Sequence, residues 1–375
     1  MTEADAALAA VAEAGDVAEV ELVRVHLPLR EVHRAGHGEL GVRDLVLVRV
    51  TLDEGSVGWG ECSALTHPTY SSEYTAGALA LLRHEVVPWL LGGADRPVVG
   101  HPMAASAVVA AHVDALLRRT ETSLVERLGS LHGRPRPAVA TTAVVSRHDD
   151  TDELLGSVDE RLRSGASMVK LKVTPHPDDM ANLGAVRATW PDLALAVDGN
   201  GTLDHRSVAY LDGLDLVYVE QPAPADDLLG SARMAERLSC PVALDESATS
   251  VAALEVAMTV GAATVFNVKP SRLGGPYAAA AAARHVFDAG GGVFVGGMLE
   301  SGVGRAAALA LASLPVFAIP SDLGPSHRYF ENDVTRPLEV DGEGRMIVPR
   351  GPGIGLVPDP ALLAAVTVER SVHQR

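Results

Sequence analysis

Cysteine is scarce in this sequence, and it has no long apolar run. The two cysteines among its 375 residues, Cys62 and Cys240, are far apart and fit neither a disulfide framework nor a zinc site. We therefore expect a reducing, cytoplasmic setting. No stretch reaches the roughly 18–20 apolar residues that a membrane helix needs. Residues 1–20 are rich in Ala and Glu and lack a basic start, so we expect a frayed helix or tail there and not a secretory signal.

Positive charge is also in short supply. The sequence has 31 Lys and Arg against 48 Asp and Glu, which gives a formal net charge of −17. A surface of this sign repels phosphate groups, so we expect neither nucleic acid nor an anionic membrane as a partner.

Lysine is the rarest charged residue. Lys170, Lys172 and Lys269 are the only three lysines, and the other 28 of the 31 basic residues are arginine. This bias is typical of a GC-rich genome, in which surface lysine readily becomes arginine. Arginine cannot replace lysine where an amine must lose a proton, because the pKa of arginine stays above about 12. The three lysines are therefore candidates for chemistry, with chance survival on the surface as the alternative.

Residues 21–135 have the pattern of an α+β domain. Alternating apolar residues predict strands over 21–29, 44–52 and 56–61, and from 71 to 129 the apolar spacing is helical. The tail has a Gly- and Pro-rich segment near 351–355 and looks like a return to this first unit. We therefore expect residues 340–375 to complete the domain.

Residues 136–339 alternate short apolar runs with helical stretches, such as 152–163 and 277–289. Eight apolar runs over roughly 200 residues predict a (β/α) barrel, an α/β fold. A doubly wound open sheet is the competing architecture, although no G-x-G-x-x-G follows the first strand. The predicted strands are 138–145, 168–173, 193–197, 214–219, 242–244, 264–268, 292–295 and 316–319.

A charged residue stands where each of five predicted barrel strands ends. The five are Lys172, Asp198, Glu220, Asp245 and Lys269, at intervals of 26, 22, 25 and 24 residues. Because the carboxyl ends of barrel strands form the active-site mouth, these side chains should converge on one spot. A single Asp at a strand end is more often a helix cap, but five charged residues in register are hard to explain as caps.

Three of the five are carboxylates, which favours a hard divalent cation. Asp198, Glu220 and Asp245 offer the oxygen ligands that suit Mg²⁺, for which we expect Mn²⁺ to substitute. The structural alternative is that the carboxylates pair with arginines and hold the barrel together. Lys170 and Lys172 lie two apart on one strand and therefore point to the same face, the barrel interior. A buried lysine beside a metal and another cation should have a lowered pKa and act as a base near neutral pH.

Lys269 ends a strand four units further round the barrel than Lys172, which places it across the ring. Two amines that flank a carboxylate substrate can each reach one face of its α-carbon.

Several short motifs accompany these residues. They are Lys170-Leu-Lys172, Asp198-Gly-Asn200, Glu220-Gln-Pro222, Leu244-Asp-Glu-Ser247, Asn267-Val-Lys-Pro270, Gly296-Gly-Met-Leu-Glu-Ser301, Gly58-Trp-Gly-Glu-Cys62, His67-Pro-Thr-Tyr-Ser-Ser-Glu-Tyr74 and Arg328-Tyr-Phe-Glu331. In combination they resemble the muconate-lactonizing branch of the enolase superfamily, and within it the o-succinylbenzoate synthase / N-succinylamino acid (N-acylamino acid) racemase group. The resemblance covers roughly residues 20–357.

This resemblance implies a modified TIM barrel, here residues 136–339, under an N-terminal α+β capping domain. It makes Lys172 and Lys269 the acid/base pair, and Asp198, Glu220 and Asp245 the Mg²⁺ ligands. The sequence departs from the family in the lid loop, residues 31–38, which is more polar than the usual pattern of Phe and Ser/Thr near a Gly.

A further set of residues is expected to contact the substrate or to support the acid/base pair. Asn200 would bind the substrate or orient the neighbouring carboxylates, with a plain turn as the alternative. Arg272, three residues after Lys269, would be a nearby cation that lowers the pKa of Lys269, with an ordinary surface arginine as the alternative. Glu246 should point to the opposite strand face from Asp245. The full set is Lys170, Asn200, Arg272, Gly297, Met298, Leu299 and Glu300. The last four lie in a Gly-rich loop. The backbone amides of this loop could hold a carboxylate or acyl group, with a purely structural turn as the alternative.

The leading hypothesis is a Mg²⁺-dependent enzyme that abstracts a proton α to a carboxylate of a small molecule. The two reactions that the resemblance implies are dehydration to o-succinylbenzoate, a step of menaquinone biosynthesis, and racemisation of N-succinyl or N-acyl amino acids. A muconate-type cycloisomerase is a weaker alternative, and a non-catalytic barrel that binds a metabolite or metal is the alternative from another class. We also expect a homo-oligomer.

Overall fold

The structure is a computed structural model of the chain and describes residues 2–35, 38–92 and 98–375. Residues 36 and 37 of the predicted lid loop therefore lie outside the described residues. Across the three described ranges, no helix is both long and apolar enough to span a membrane.

The chain forms a capping unit at its two ends and a barrel between them. The first elements are α1 (Glu3–Ala14), β1 (Val17–Ala35), β2 (Gly38–Leu52), β3 (Val57–Cys62), α2 (Thr75–Leu81), a π-helical turn (Leu82–Val86), α3 (Val87–Leu90), α4 (Pro102–Arg119), α5 (Leu124–His132) and β4 (Ala138–Val139). The barrel elements are β5 (Thr142–Val145), α6 (Thr151–Arg163), β6 (Met168–Lys172), α7 (Pro177–Thr189), β7 (Leu195–Asp198), α8 (His205–Leu211), a 3₁₀ turn (Asp212–Leu214), β8 (Val219–Glu220), α9 (Leu228–Ala235), β9 (Val242–Leu244), α10 (Val251–Thr259), β10 (Val265–Val268), α11 (Pro276–Asp288), β11 (Gly292–Val295) and α12 (Gly302–Ala312). The chain ends with α13 (Ser326–Tyr329), β12 (Met346–Ile347), α14 (Pro360–Val366) and β13 (Thr367–Gln374).

The capping sheet is antiparallel in the order β13-β1-β2-β3, so the last strand of the chain lies beside the first. Helix α4 packs on β3 at very short range. A Cβ atom added at Gly58 would lie 2.1 Å from the Ala111 carbonyl oxygen, and one at Gly60 would lie 2.0 Å from that of Ala107. Only glycine leaves room for the helix backbone at these two positions, which explains the two glycines in the Gly58–Cys62 motif.

The N-terminal segment is helical, one of the two expected forms, but the helix is packed against the protein and not frayed. It forms α1, which has a capping box between Thr2 and Asp5 and buries Ala4, Leu8 and Val11. The segment therefore carries its own start signal and an apolar face. The alanine-rich composition concealed this pattern, because small residues give a weak amphipathic contrast.

The predicted α/β class and capped barrel are confirmed, with one difference in the strand count. The parallel strands follow one another in sequence order from β5 to β11, without the reversal that a doubly wound sheet has. The described residues give seven parallel strands instead of eight, because residues 316–319 form no strand. Pro315 and Pro320 flank that apolar run and cannot donate to a strand ladder. An isolated parallel bridge between Thr141 and Ser321 stands at this place.

A carboxylate from the capping sheet caps a barrel helix. Glu61 on β3 accepts hydrogen bonds from the Ser301 amide (3.1 Å), the Ser301 hydroxyl (2.5 Å) and the Gly304 amide (3.2 Å), at the start of α12. A side chain from one domain thus satisfies the free amides at a helix N-terminus of the other. The two domains are thereby fixed to each other beside the β11–α12 loop.

We expect Glu61→Ala to lower the free energy of unfolding by about 3 kcal/mol, because two backbone amides and the Ser301 hydroxyl lose their acceptor. Glu61→Gln keeps an acceptor oxygen and should cost clearly less. Urea denaturation of both variants and the parent protein would measure this, and equal stability of the Ala and Gln variants would contradict the capping role.

Candidate active site

The five charged residues at the predicted strand ends do converge. Lys172, Asp198 and Glu220 are the last residues of β6, β7 and β8, while Asp245 and Lys269 directly follow β9 and β10. Since these five strands are neighbours in the sheet, the three carboxylates lie between the two lysines. The arrangement follows from the right-handed βα repeat, which brings all strand ends to one side.

Each of the two flanking lysines bonds the nearest carboxylate. Lys172 Nζ donates to Asp198 Oδ2 at 2.8 Å and to Asn200 Oδ1 at 3.0 Å. Lys269 Nζ donates to Asp245 Oδ2 at 2.8 Å and lies 3.5 Å from the sulfur of Met298. Asn200, expected to orient the site, therefore holds one of the two amines.

Lys170 has a different environment from the one expected. Its ammonium group is buried and donates to both Glu220 and Asp322. Burial lowers the pKa of Lys170, but the attraction of Asp322 and Glu220 is stronger, so the pKa is raised well above its usual value. The lowered pKa expected of a buried lysine at this site does not apply to Lys170, which is the charged partner of two carboxylates.

Tyr70 is a site residue that the sequence interpretation missed. Its hydroxyl donates to Asp245 Oδ1 at 2.9 Å and accepts from Lys269 Nζ at 3.1 Å and from Arg272. Lys269 Nζ also lies 4.6 Å from the centre of the Tyr70 ring. The segment comes from the capping domain, so no spacing within the barrel could reveal it. The only signal was the motif His67–Tyr74, to which no role was assigned.

Arg272 lies at the site but reaches Asp245 instead of Lys269. Its guanidinium donates to Asp245 Oδ1 at 2.9 Å and to the Ala248 carbonyl at 2.8 Å. It is buried, which excludes the alternative of an ordinary surface arginine.

Two buried amide side chains connect the strand ends; both lie in motifs noted in the sequence, but neither was assigned a role. Gln221 Oε1 accepts from the backbone amide of Asp245 at 3.1 Å, and Asn267 Nδ2 donates to Glu220 Oε1 at 2.8 Å.

Three residues of the same region have strained backbone conformations. Asn200 (φ 41°), Gln221 (φ 39°) and Leu299 (φ 53°) adopt the left-handed conformation, which is uncommon for residues other than glycine.

Glu246 differs from its predicted orientation. Its Oε1 accepts from Asn200 Nδ2 at 3.0 Å, so the side chain turns into the site. The prediction assumed that strand alternation continues through this residue. Strand β9 ends at Leu244, and beyond a strand the alternation rule no longer holds.

The β11–α12 loop contributes side chains but not all of its amides. Gly297, Met298 and Leu299 line the pocket. The Met298 amide donates to Glu300 Oε1 at 2.8 Å, and Glu300 also pairs with Arg305 at 3.0 Å. Glu300 therefore supports the loop from behind, and the Met298 amide is already engaged.

The pocket holds more buried acidic than basic side chains. Burial and the neighbouring carboxylates, notably Asp198, raise the pKa of Glu220 to about 8 against the pull of Lys170. Burial likewise raises the pKa of Asp245, but Lys269 and Arg272 outweigh it and lower that pKa below its usual range. Five carboxylates, those of Asp198, Glu220, Asp245, Glu246 and Asp322, face the four cations Lys170, Lys172, Lys269 and Arg272.

These residues fit a divalent cation by donor type and charge. Oxygen atoms of Glu246 (Oε2), Asp322 (Oδ1) and Asn267 (Oδ1) are buried and accept no hydrogen bond, so acceptor capacity remains. Over the described part of the chain, no three His, Cys, Asp or Glu side chains already form a metal-binding cluster. Asp198 and Asp245 instead bond the two flanking lysines. A cation would have to draw these carboxylates away from the amines.

Comparison with known proteins identifies the family. A family model described as "Enolase C-terminal domain-like" matches residues 153–362, and one described as "Mandelate racemase / muconate lactonizing enzyme, N-terminal domain" matches residues 17–129. The chain belongs to this family of enolase-superfamily enzymes. Membership of the superfamily implies a divalent metal.

Similar relatives span nearly the whole chain. An N-succinylamino acid racemase of Amycolatopsis sp. is 40% identical over 94% of this chain and 97% of its own length. An o-succinylbenzoate synthase of Listeria innocua is 30% identical over 93% of this chain and 96% of its own length. A solved structure of an enolase-superfamily member from Listeria innocua covers 96% of this chain and 99% of its own, with 29% identity and a TM-score of 0.87. The predicted family is confirmed.

We expect Lys170→Met to lower the free energy of unfolding of the metal-free protein by about 3–5 kcal/mol, because Glu220 and Asp322 lose their buried counter-ion. Urea denaturation in EDTA would measure the change. Arg284→Met, on the exposed surface of α11, is the matched control and should stay within about 0.5 kcal/mol of the parent. Equal stability of the two variants would contradict the buried ion network.

Proposed function

We propose that this chain is a Mg²⁺-dependent racemase of N-succinyl or other N-acyl amino acids. The observation that carries the proposal is the position of Lys172 and Lys269 on opposite sides of three carboxylates. Racemisation needs a proton acceptor on one face of the α-carbon and a donor on the other, and two flanking amines supply both. The racemase of Amycolatopsis sp., at 40% identity, supports the same reaction.

Asp198, Glu220 and Asp245 would hold the metal. When bound, Mg²⁺ would bind the substrate carboxylate and stabilise the negative charge that develops there as the α-proton leaves. The carboxylates of Asp198 and Asp245 would then release Lys172 and Lys269 toward the substrate.

Each amine also has a second contact, with a group other than these carboxylates. Asn200 Oδ1 accepts from Lys172, and the Tyr70 hydroxyl accepts from Lys269. These contacts keep the two amines on opposite sides after the carboxylates turn away. One lysine would take the α-proton while the other, protonated, returns a proton to the opposite face.

Dehydration to o-succinylbenzoate is the second candidate reaction. It is supported by relatives of this name, including the Listeria innocua protein at 30% identity. Lys172 would remove the α-proton and then, as its conjugate acid, protonate the departing hydroxyl group. Lys269 would contribute positive charge only.

We further propose a reducing cytoplasm as the setting, in line with the two free thiols of Cys62 and Cys240.

Removal of divalent metal with EDTA is expected to abolish activity, because the substrate carboxylate loses its counter-charge. Added Mg²⁺ or Mn²⁺ should restore it. Racemisation of N-succinylphenylalanine, followed by polarimetry before and after dialysis, measures this effect. Full activity in thoroughly chelated protein would exclude the proposed metal dependence.

We expect Lys269→Arg to separate the two reactions. Arginine keeps the positive charge but does not release a proton at neutral pH, so racemisation should fall by about 10²–10⁴-fold, the usual contribution of an acid/base group. Dehydration should remain measurable by o-succinylbenzoate absorbance, because it needs one base only.

Two comparisons test this assignment. Lys172→Arg should abolish both reactions. The Lys269→Arg protein should still exchange the α-proton of a single enantiomer in D₂O, since one amine remains. If that variant racemised its substrate at the parent rate, Lys269 would not be the second acid/base group.

A further inference from the structure

A second groove opens from the catalytic pocket. The two cavities share four wall residues, His33, Val144, Leu299 and Tyr329. Beyond these residues the groove is bordered by three arginines, Arg147, Arg161 and Arg328, and by two glutamates, Glu31 and Glu153. A substrate anchored at the barrel mouth could therefore extend part of itself between Val144 and Leu299 toward these charged side chains.

Two of the three arginines already have carboxylate partners. Arg147 makes two hydrogen bonds to Asp179, at 2.8 and 3.1 Å. Arg161 lies 3.3 Å from Glu160 and 3.7 Å from Glu31. Each of these two arginines therefore has a carboxylate counter-ion.

Arg328 stands apart from them. In the described ranges it has no carboxylate within ion-pair distance, and its guanidinium donates to the Ser164 hydroxyl at 3.3 Å. The side chain is half-buried on α13, next to Tyr329 at the junction of the two cavities. In a chain with a net charge of −17, a half-buried arginine without a counter-ion beside the pocket is unusual.

The surroundings of Arg328 favour an added anion. Burial lowers the pKa of Arg328, and the positive charges of Arg161 and Arg305 lower it further, against Tyr329 and Glu160. An anion placed in the groove would offset this repulsion. The guanidinium would offer it a planar pair of donors, the geometry that suits a carboxylate.

We infer that the groove is the binding site for the terminal carboxylate of the substrate's acyl group and that Arg328 recognises it. This inference rests on the proposed function and extends it to the acyl subsite. Val144 and Leu299 would pack against the methylene groups of the acyl chain, and Arg328 would pair with the carboxylate at its end. Both candidate reactions involve a succinyl group, so one subsite would serve both.

The test compares two ligands that differ only in this charge. N-succinylglycine carries the terminal carboxylate, and N-succinamoylglycine replaces it with a neutral amide of the same shape. Glycine has no stereocentre, so binding to the Mg²⁺-loaded full-length protein can be measured by calorimetry without a change in the ligand's configuration. We expect the parent protein to prefer the succinyl ligand by about 10- to 100-fold, the usual range for a hydrogen bond to a charged group.

Arg328→Gln should remove this preference by weakening succinyl binding by about 10- to 100-fold, while affinity for the succinamoyl ligand stays within about threefold. Arg328→Lys keeps the charge and should retain part of the preference. Arg284→Gln, on the far surface of α11, should behave as the parent protein. The unchanged affinity for the neutral ligand also shows that the variant site is folded.

Three outcomes would overturn the inference: no preference in the parent protein, an undiminished preference in Arg328→Gln, or an equal loss of affinity for both ligands. Failure of the proposed function gives a different result. In that case the protein would neither racemise nor exchange the α-proton of N-succinylphenylalanine, whereas the charge preference and its loss in Arg328→Gln would still establish the groove as a carboxylate site.

Discussion

The balance of buried charge at the barrel mouth is the constraint on which the rest of the site depends. Charges removed from water must be paired, or the fold loses several kcal/mol per ion. Lys170 meets this need for Glu220 and Asp322, while Lys172 and Lys269 meet it for Asp198 and Asp245. The remaining excess of carboxylate favours a cation, so the same network that stabilises the metal-free barrel also prepares it for a metal.

The capping domain completes this network and does not merely cover it. Tyr70 reaches Asp245 and Lys269 from the cap, and Arg43, fully buried, donates to the Met298 carbonyl at 3.0 Å. Glu61 fixes the start of α12 a few residues further on. The loop that lines the pocket is thus held from the cap side, and a shift of the cap would move Met298 away from Lys269.

The periodic part of the molecule could be predicted from the sequence, and the contacts between distant segments could not. Strand spacing located Lys172 and Lys269 because each βα unit repeats the same geometry. Tyr70 and Asp322 escaped because nothing in the local pattern of a loop shows which strand end it will meet. Glu246 was misjudged because strand alternation was carried past Leu244, where β9 ends, and the packing of the N-terminal helix was missed because alanine gives little contrast between its faces.

Lys170 shows that a lysine can be required for a reason other than proton transfer. The arginine-rich composition predicts lysine only where an amine must lose a proton. Lys170 persists although its raised pKa keeps it charged. Its compact ammonium group fits between two buried carboxylates, whereas a planar guanidinium is larger and directs its donors as a fixed fork. The small size of the ammonium group therefore explains the lysine at position 170. Lys172 and Lys269 are the two lysines for which proton transfer is proposed.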